Sequence, residues 1–444
     1  MGLGKTIQTI GWLRHRRQAR PVIIVCPTSV RLGWQREVKA WLGETVFLPF
    51  GTRADHSGYA DQPFVIIHYD ILYAWVDWLR SLKPRVVVID EAHYIKTNKA
   101  VRTRAVKQLV RGVPHLIGLT GTPIVNRPIE AFNILQLIDK TAVPNWRTYT
   151  QRYCGPRHNG FGWTYNGATH TQELHDKLTA TVMLRRRKAD VLTDLPAKLR
   201  SFVPIEIDNR DDYTAAERDF LAWVRDKEGQ AAARRARRAQ TLTRVTALRD
   251  LAAKGKLAQA VDWIADVVET TKLVVFAVHR EMIDTVYRKF NRIAVKIAGD
   301  VNEKERQQAI ERFQGDPNCR LFVGQIQAAG TGITLTAASH IAFLELPWTP
   351  GELLQAEDRC HRIGQRDQVT VYYLLAASTI DEDMAHLIDR KREVLNSVLD
   401  GEADATPAIL TELLDLYETW GTYGPSPVSD QVGRRVRQDH RPGV

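Results

Sequence analysis

The sequence predicts an α/β protein of two lobes, each built on a parallel sheet, with a helical insertion between them. Three observations lead there. Short runs of Val, Ile and Leu recur without polar alternation, the pattern of strands covered on both faces. These runs fall into two clusters along the chain, with helix-compatible segments between them. The stretch separating the clusters carries almost no strand signal.

The first cluster comprises residues 22–26, 64–67, 86–89 and 116–119, and the second 273–278, 321–323, 341–344 and 369–374. Each run ends in a polar or glycine-containing turn, as strands of an α/β lobe do before the chain enters a helix. Segments such as 100–110 and 303–313 supply those helices. Between the clusters, 155–167 is rich in Gly, Asn and aromatic residues and reads as a loop or insertion, while the Ala- and Arg-rich 211–256 reads as helices. The expected organisation is a first lobe over 1–140, a helical insertion and linker over 141–260, a second lobe over 261–400, and a helix with a disordered basic tail over 401–444.

A chain of 444 residues is long enough for two proper cores, and 44% hydrophobic against 25% charged residues is the balance of a chain that folds over most of its length. The formal net charge of +11 points to an anionic partner, nucleic acid being the commonest, although a solvated basic surface explains it equally well. Cys26, Cys154, Cys319 and Cys360 are scattered with no Cys-x-x-Cys pair. Neither a disulfide framework nor a zinc site is indicated, and a reducing, cytoplasmic compartment is expected. No apolar run is long enough to span a membrane.

Gly2-Leu3-Gly4-Lys5-Thr6 has the composition of the end of a phosphate-binding loop. Glycines let backbone N–H groups approach phosphate oxygens, Lys5 reaches the outer phosphates, and the Thr6 hydroxyl suits Mg²⁺. Only three residues precede Gly4, so alone the fragment is also a plain glycine-rich terminus. Asp90-Glu91-Ala92-His93 strengthens it, because this acidic pair follows the apolar run 86–89 and falls at the carboxyl end of a buried strand, where α/β sheets bind ligands. Asp90 suits a Mg²⁺ ligand and Glu91 a base that orients and deprotonates water. Gly118-Leu119-Thr120-Gly121-Thr122-Pro123 follows another strand, and its hydroxyls suit a relay between the nucleotide and the neighbouring lobe.

In the second cluster, Gln355, Arg359 and Arg362 stand at i, i+4 and i+7, which on a helix would place them on one face. Two arginines so placed at a lobe boundary suit arginine fingers. A structural alternative is an ion pair of Arg362 with Asp358, four residues before it.

Taken in order, these motifs resemble the superfamily-two DNA translocases of the Swi/Snf type. The resemblance extends to Val25-Cys26-Pro27-Thr28-Ser29 with Trp34, to His93-Tyr94-Ile95-Lys96-Thr97-Asn98, to Leu184-Arg185-Arg186-Arg187-Lys188-Ala189-Asp190-Val191 with Leu195-Pro196-Ala197-Lys198, and to Ala328-Ala329-Gly330-Thr331-Gly332-Ile333-Thr334-Leu335. It spans Met1 to about Leu399. Tyr153-Cys154 with Gly162-Trp163-Thr164-Tyr165, and Ile326-Gln327-Ala328-Ala329, are most similar to the annealing-helicase, HepA-related branch.

The resemblance implies two RecA-like lobes closing on ATP and Mg²⁺ and tracking along double-stranded or branched DNA as a monomeric motor, with accessory DNA-binding or replication proteins as further partners. Carried over by residue, Gly2, Gly4, Lys5, Thr6 and Asp90 hold nucleotide and metal. Glu91 is the base, Gly330 and Gly332 line the second-lobe wall, and Gln355, Arg359 and Arg362 complete the catalytic set. DNA-backbone contacts fall on Thr28, Lys96, Thr122 and Thr336. The run 185–188 is expected to link the lobes, and the cluster Arg234, Arg235, Arg237 and Arg238 to be a solvated face. Alternatives left open are a motor that strips proteins from DNA or serves a defence system, and a DNA-binding remnant without ATP turnover. The compact, Arg-rich chain suits a bacterial or phage protein. Because Met1 falls inside the phosphate loop, the expectation is that coding sequence continues upstream of it or is separately encoded.

Overall fold

The computed structural model describes residues 2–121, 128–143, 145–158, 162–165, 167–186, 188–192, 194–225, 234–329 and 332–400. Its first sheet contains β1 (Val22–Cys26), β2 (Val46–Phe47), β3 (Phe64–His68), β4 (Val86–Ile89) and β5 (His115–Gly118), all parallel, in the order β2-β3-β1-β4-β5. β1 pairs with β3 from Val22↔Phe64 and with β4 from Val22↔Val86, so both neighbours of β1 begin level with it. Every residue of β1 and β4 is buried. This explains the unbroken apolar runs, since helices cover both faces: Ile10, Leu13, Trp34 and Val38 pack on one, and Leu72, Trp75, Leu79 and Val106 on the other. Each such side chain contributes roughly 1.5–3 kcal/mol by leaving water.

A small hairpin, β6 (Arg157–His158) with β7 (Trp163–Thr164), lies in the stretch expected to be a loop. The second sheet is larger than the four expected runs. It contains β8 (Lys198–Ile205), β9 (Leu273–Ala277), β10 (Ala294–Ile297), β11 (Leu321–Gln325), β12 (His340–Phe343) and β13 (Val369–Ala376), in the parallel order β10-β11-β9-β12-β13-β8. Both additions are edge strands. β8 pairs along its whole length with β13, but its Lys198 and Arg200 turn inward onto the buried Glu357 while Leu199 and Phe202 are exposed, so no hydrophobic run marks it.

Between the sheets in sequence, the helices Phe132–Ile138, Trp146–Tyr153 and Thr171–Thr181 gather around Phe132, Leu135, Tyr149, Tyr153, Leu174 and Leu178 as a separate small core. The 37-residue helix Arg234–Thr270 then runs into the second lobe. Its Lys256, almost wholly buried, donates to the Leu374 carbonyl at 2.6 Å and pairs with Asp381. No helix among the described residues is long and apolar enough to cross a membrane. Residues 401–444 and the side chains of Arg234, Arg235, Arg237 and Arg238 lie outside those described.

Candidate active site between the lobes

The helix Lys5–His15 opens the first lobe. Its cap, Gly4, is left-handed (φ 71°), as is Gly2 (φ 73°), a conformation that costs glycine nothing and turns the chain so that the first N–H groups of the helix point outward. No side chain caps this end. A helix start with open amides followed by Lys5 and Thr6 is ready for an anion.

β4 delivers Asp90 and Glu91 to the same edge. Asp90 is fixed on every side: its N–H donates to the Val25 carbonyl at 2.8 Å, its Oδ2 accepts from Trp34 Nε1 at 2.8 Å, its Oδ1 accepts from the Glu91 N–H at 2.9 Å, and its carbonyl accepts from the Tyr69 hydroxyl at 2.6 Å. Burial, with Glu91 adjoining, pushes its carboxyl up to about 6 despite Trp34 and Lys5. Glu91 has a left-handed backbone (φ 49°), rare for a side chain of its size. Its Oε2 lies 3.3 Å from His93 Nδ1, unaligned for a hydrogen bond, so this buried oxygen has no hydrogen-bond partner among the described residues. Burial alone would raise Glu91, but His93 and the charges of Lys5 and Arg359 hold it below its ordinary value.

Arg359 and Arg362 arrive from the second lobe by a route different from the one expected. The helix Pro350–Glu357 ends before either, so Gln355, Arg359 and Arg362 are not successive positions on one helical face. Past Glu357 the turn tightens, with the Arg359 N–H reaching back only to Ala356, while the Leu335 N–H takes the Arg359 carbonyl at 2.9 Å. The two guanidiniums still converge. Arg359 donates to the Gln355 carbonyl at 2.9 Å and to the Ile333 carbonyl at 3.4 Å, and Arg362 donates to the same Ile333 carbonyl at 2.9 Å. Burial and the neighbouring Arg359 pull Arg362 down to about 10, still a cation at neutral pH. Asp358 is gripped by Lys188 at 2.8 Å and Lys198 at 3.3 Å.

The lobes touch at these elements. A β-carbon on Gly2 would lie 3.0 Å from Arg362 Cβ and 3.1 Å from Lys188 Cε, so the glycine loop packs directly on the second-lobe arginine. Gly332 (φ 72°) faces the first lobe at Val30, not the start of the Lys5 helix. Thr28 is exposed just past β1, at the same carboxyl edge as Lys96, which pairs with Glu130 at 3.2 Å. The Thr336 hydroxyl is half-buried and accepts from Gln314 Nε2 at 3.3 Å. Thr122 and Gly330 lie outside the described residues.

Three groups escaped the sequence reading, and a fourth, Trp34, entered it without a role. Trp34 and Tyr69 hold Asp90, and the fully buried Glu357 is clasped by Lys198, Arg200 and Tyr373. Arg306, on the helix Glu303–Gly315, is buried near enough to Arg359 for the two charges to repel, and donates to the Ala328 carbonyl. The only sequence signal for it was a capping box at Asn302 and Glu305, which marks the helix start without saying which side chain turns inward.

Residues 1–255 match the model of the SNF2-related domain, and residues 255–364 that of the helicase conserved C-terminal domain. The chain belongs to the SNF2-related family. It is 33% identical over 426 residues to the human DNA annealing helicase and endonuclease ZRANB3, an alignment covering 92% of this chain and 39% of that one. The SWI/SNF-related matrix-associated actin-dependent regulator of chromatin subfamily A-like protein 1 homolog of Caenorhabditis elegans is 33% identical, covering 90% of this chain and 58% of the relative. The chain thus spans about two fifths to three fifths of the length of these SNF2-related relatives. A solved Sulfolobus solfataricus SWI2/SNF2 ATPase core in complex with dsDNA aligns over 94% of this chain and 89% of that one, at 23% identity and a TM-score of 0.40.

The residues of this SNF2-related cleft fit a nucleotide and its cation. Open amides, Lys5, the buried Arg359 and the half-buried Arg362 suit an anion. Asp90, raised by burial, and the orphaned Glu91 Oε2 are the groups a cation and a water would satisfy. Among the described residues no cluster of three or more His, Cys, Asp or Glu could hold a metal on its own.

Proposed function

We propose that the chain is the ATPase motor of a translocase that moves along double-stranded DNA and rewinds or remodels branched structures in replication or repair. One observation carries the reading: the Lys5 helix terminus, the Asp90–Glu91 pair and the Arg359–Arg362 pair meet at one inter-lobe cleft although they come from three distant parts of the chain. The rewinding role is supported by the likeness to a DNA annealing helicase.

ATP with Mg²⁺ would supply the phosphoanhydride whose hydrolysis drives the cycle. Gly2, Gly4 and Lys5 hold the phosphates, and Thr6 and Asp90 take the cation. Glu91, ionised and with an Oε2 that accepts no hydrogen bond among the described residues, orients water and accepts its proton. Arg359 and Arg362 face it from the other lobe and add positive charge where negative charge develops, an effect of roughly 10³–10⁵ in rate. Because both hang on the Ile333 carbonyl, a shift of that loop withdraws them together.

Steady-state ATP hydrolysis with and without blunt duplex DNA tests this. Wild-type turnover should rise with DNA, and Lys5→Ala, Glu91→Gln and Arg362→Ala should each lower the stimulated rate by about 10³-fold or more. Turnover indifferent to duplex, or retained in Glu91→Gln, would sink the reading.

A further inference from the structure

The hairpin β6–β7 plays no part in the cleft, yet it is built with care. It grows from the small helical core, which is tied to the first lobe where Glu130 pairs with Lys96 and Asn133 Nδ2 donates to the Lys96 carbonyl at 2.7 Å. Its neck is pinched by two glycines so close that a β-carbon on Gly155 would lie 3.3 Å from Gly167 Cα. The Gly167 N–H donates to the Cys154 carbonyl at 3.0 Å, and the Thr164 hydroxyl donates to the Arg157 carbonyl at 3.0 Å, fixing the register.

This held hairpin presents Trp163 to solvent. At 62% exposure it is the most exposed tryptophan among the described residues, and its ring meets His158 edge-on at 5.5 Å. Two residues further, Tyr165 meets Trp146 edge-on at 6.3 Å, and Trp146 is itself 44% exposed against Phe132. One aromatic pair sits on the hairpin, and a second joins Tyr165, just past β7, to the helix Trp146–Tyr153.

The charge within this stretch of sequence has one sign. Residues 146–165 contain Arg147, Arg152, Arg157 and His158 and no Asp or Glu. Arg152 is paired with Glu173, while Arg147 and Arg157 are exposed. A protein-docking patch would surround such a ring with aliphatic side chains. Here the neighbours are Arg157, His158, Gly162 and Thr164, a flat π-face in a cationic, hydrogen-bonding setting, which is what a nucleic-acid base beside its phosphate requires.

Accepting the motor reading above, we infer that this hairpin is a stacking platform for unpaired bases: Trp163 takes the face of a base and Arg157 an adjacent phosphate. The motor would thereby engage single-stranded stretches of its DNA at a site separate from the one that follows the duplex.

The test compares the full chain on two DNAs of equal length, one fully paired and one with a short unpaired gap carrying 2-aminopurine. Wild type should quench the probe. Trp163→Ala should weaken binding to gapped DNA by roughly 5–100-fold, the range for one lost base stack, with affinity for the paired duplex and ATPase stimulation by it unchanged. Trp163→Phe should restore most of the loss, which separates stacking from misfolding. Trp163→Ala binding gapped DNA as wild type does, or losing equally on both DNAs, overturns the proposal. Trp163-dependent binding of gapped DNA without any ATPase stimulation overturns the motor reading alone. Binding of neither DNA by wild type overturns both.

Discussion

Glu357 illustrates how one residue can set the site without touching it. Buried beside the finger turn, it would be raised by burial, but the Lys198 ammonium and the two-pronged Arg200 guanidinium reverse this and hold it at about 2. A carboxylate depressed in the folded state stabilises above its unfolded value, near 4.5, and that contribution is lost as pH falls from there through about 2. The shift corresponds to about 3 kcal/mol. Glu357→Gln should therefore unfold at lower urea than wild type at pH 7, with a flatter change in stability between pH 4.5 and 2; parallel pH dependences of the two proteins would contradict the pairing. The Asp90–Glu91 pair could be read from sequence because the preceding strand is covered on both faces and so leaves an apolar run. Glu357 could not. Its charged partner Arg200 lies 157 residues away in sequence, and nothing local in 355–362 distinguishes a clasped carboxylate from a solvated one.

At the scale of elements, the close approach of the loop after β11 to the turn after β1 decides how the lobes meet. A methyl on Gly332 would lie 1.8 Å from Val30 Cγ1, and the residue is left-handed as well. Gly332→Ala should separate the lobes locally and reduce DNA-stimulated ATP turnover by about 10²-fold, the scale of an ångström's misplacement of catalytic groups. Val30→Ala in the same chain should recover part of the loss, since the backbone strain of about 1 kcal/mol remains. Unchanged turnover in the single variant would show that this contact is dispensable. The same scale separates what sequence showed from what it hid. Central strands announced themselves, whereas β8 and β10 at the edges did not, because β8 turns Lys198 and Arg200 inward onto Glu357 and β10 carries Lys296 in a run of only four residues. The end of the helix Pro350–Glu357 was hidden for another reason: residues 355–362 keep helical spacing, and it is the tertiary bond from Leu335 to the Arg359 carbonyl that draws the chain out of the helix.

For the whole molecule, the net charge of +11, the exposed Thr28 and the half-buried Lys96 at the carboxyl edge of the first sheet would, on the proposed motor reading, supply phosphate contacts that carry no sequence preference. Affinity for blunt duplex should fall linearly on logarithmic axes as salt rises, with a slope near −0.9 per phosphate contacted. Lys96→Ala should reduce that slope by about one, as measured by fluorescence anisotropy across a salt series; a flat dependence would remove the phosphate-tracking picture.

The helix Arg31–Leu42 joins two of these scales. Its Trp34 fixes Asp90, while its Arg31 pairs with Glu303 of the second lobe at 3.0 Å and its Arg36 donates to Gln307 at 2.9 Å. The grip on Asp90, the proposed cation ligand, and the separation of the lobes are therefore displacements of one rigid body. Thermodynamic reciprocity follows: if closing the lobes tightens cation binding by some factor, the cation favours closure by the same factor, with no further messenger between them.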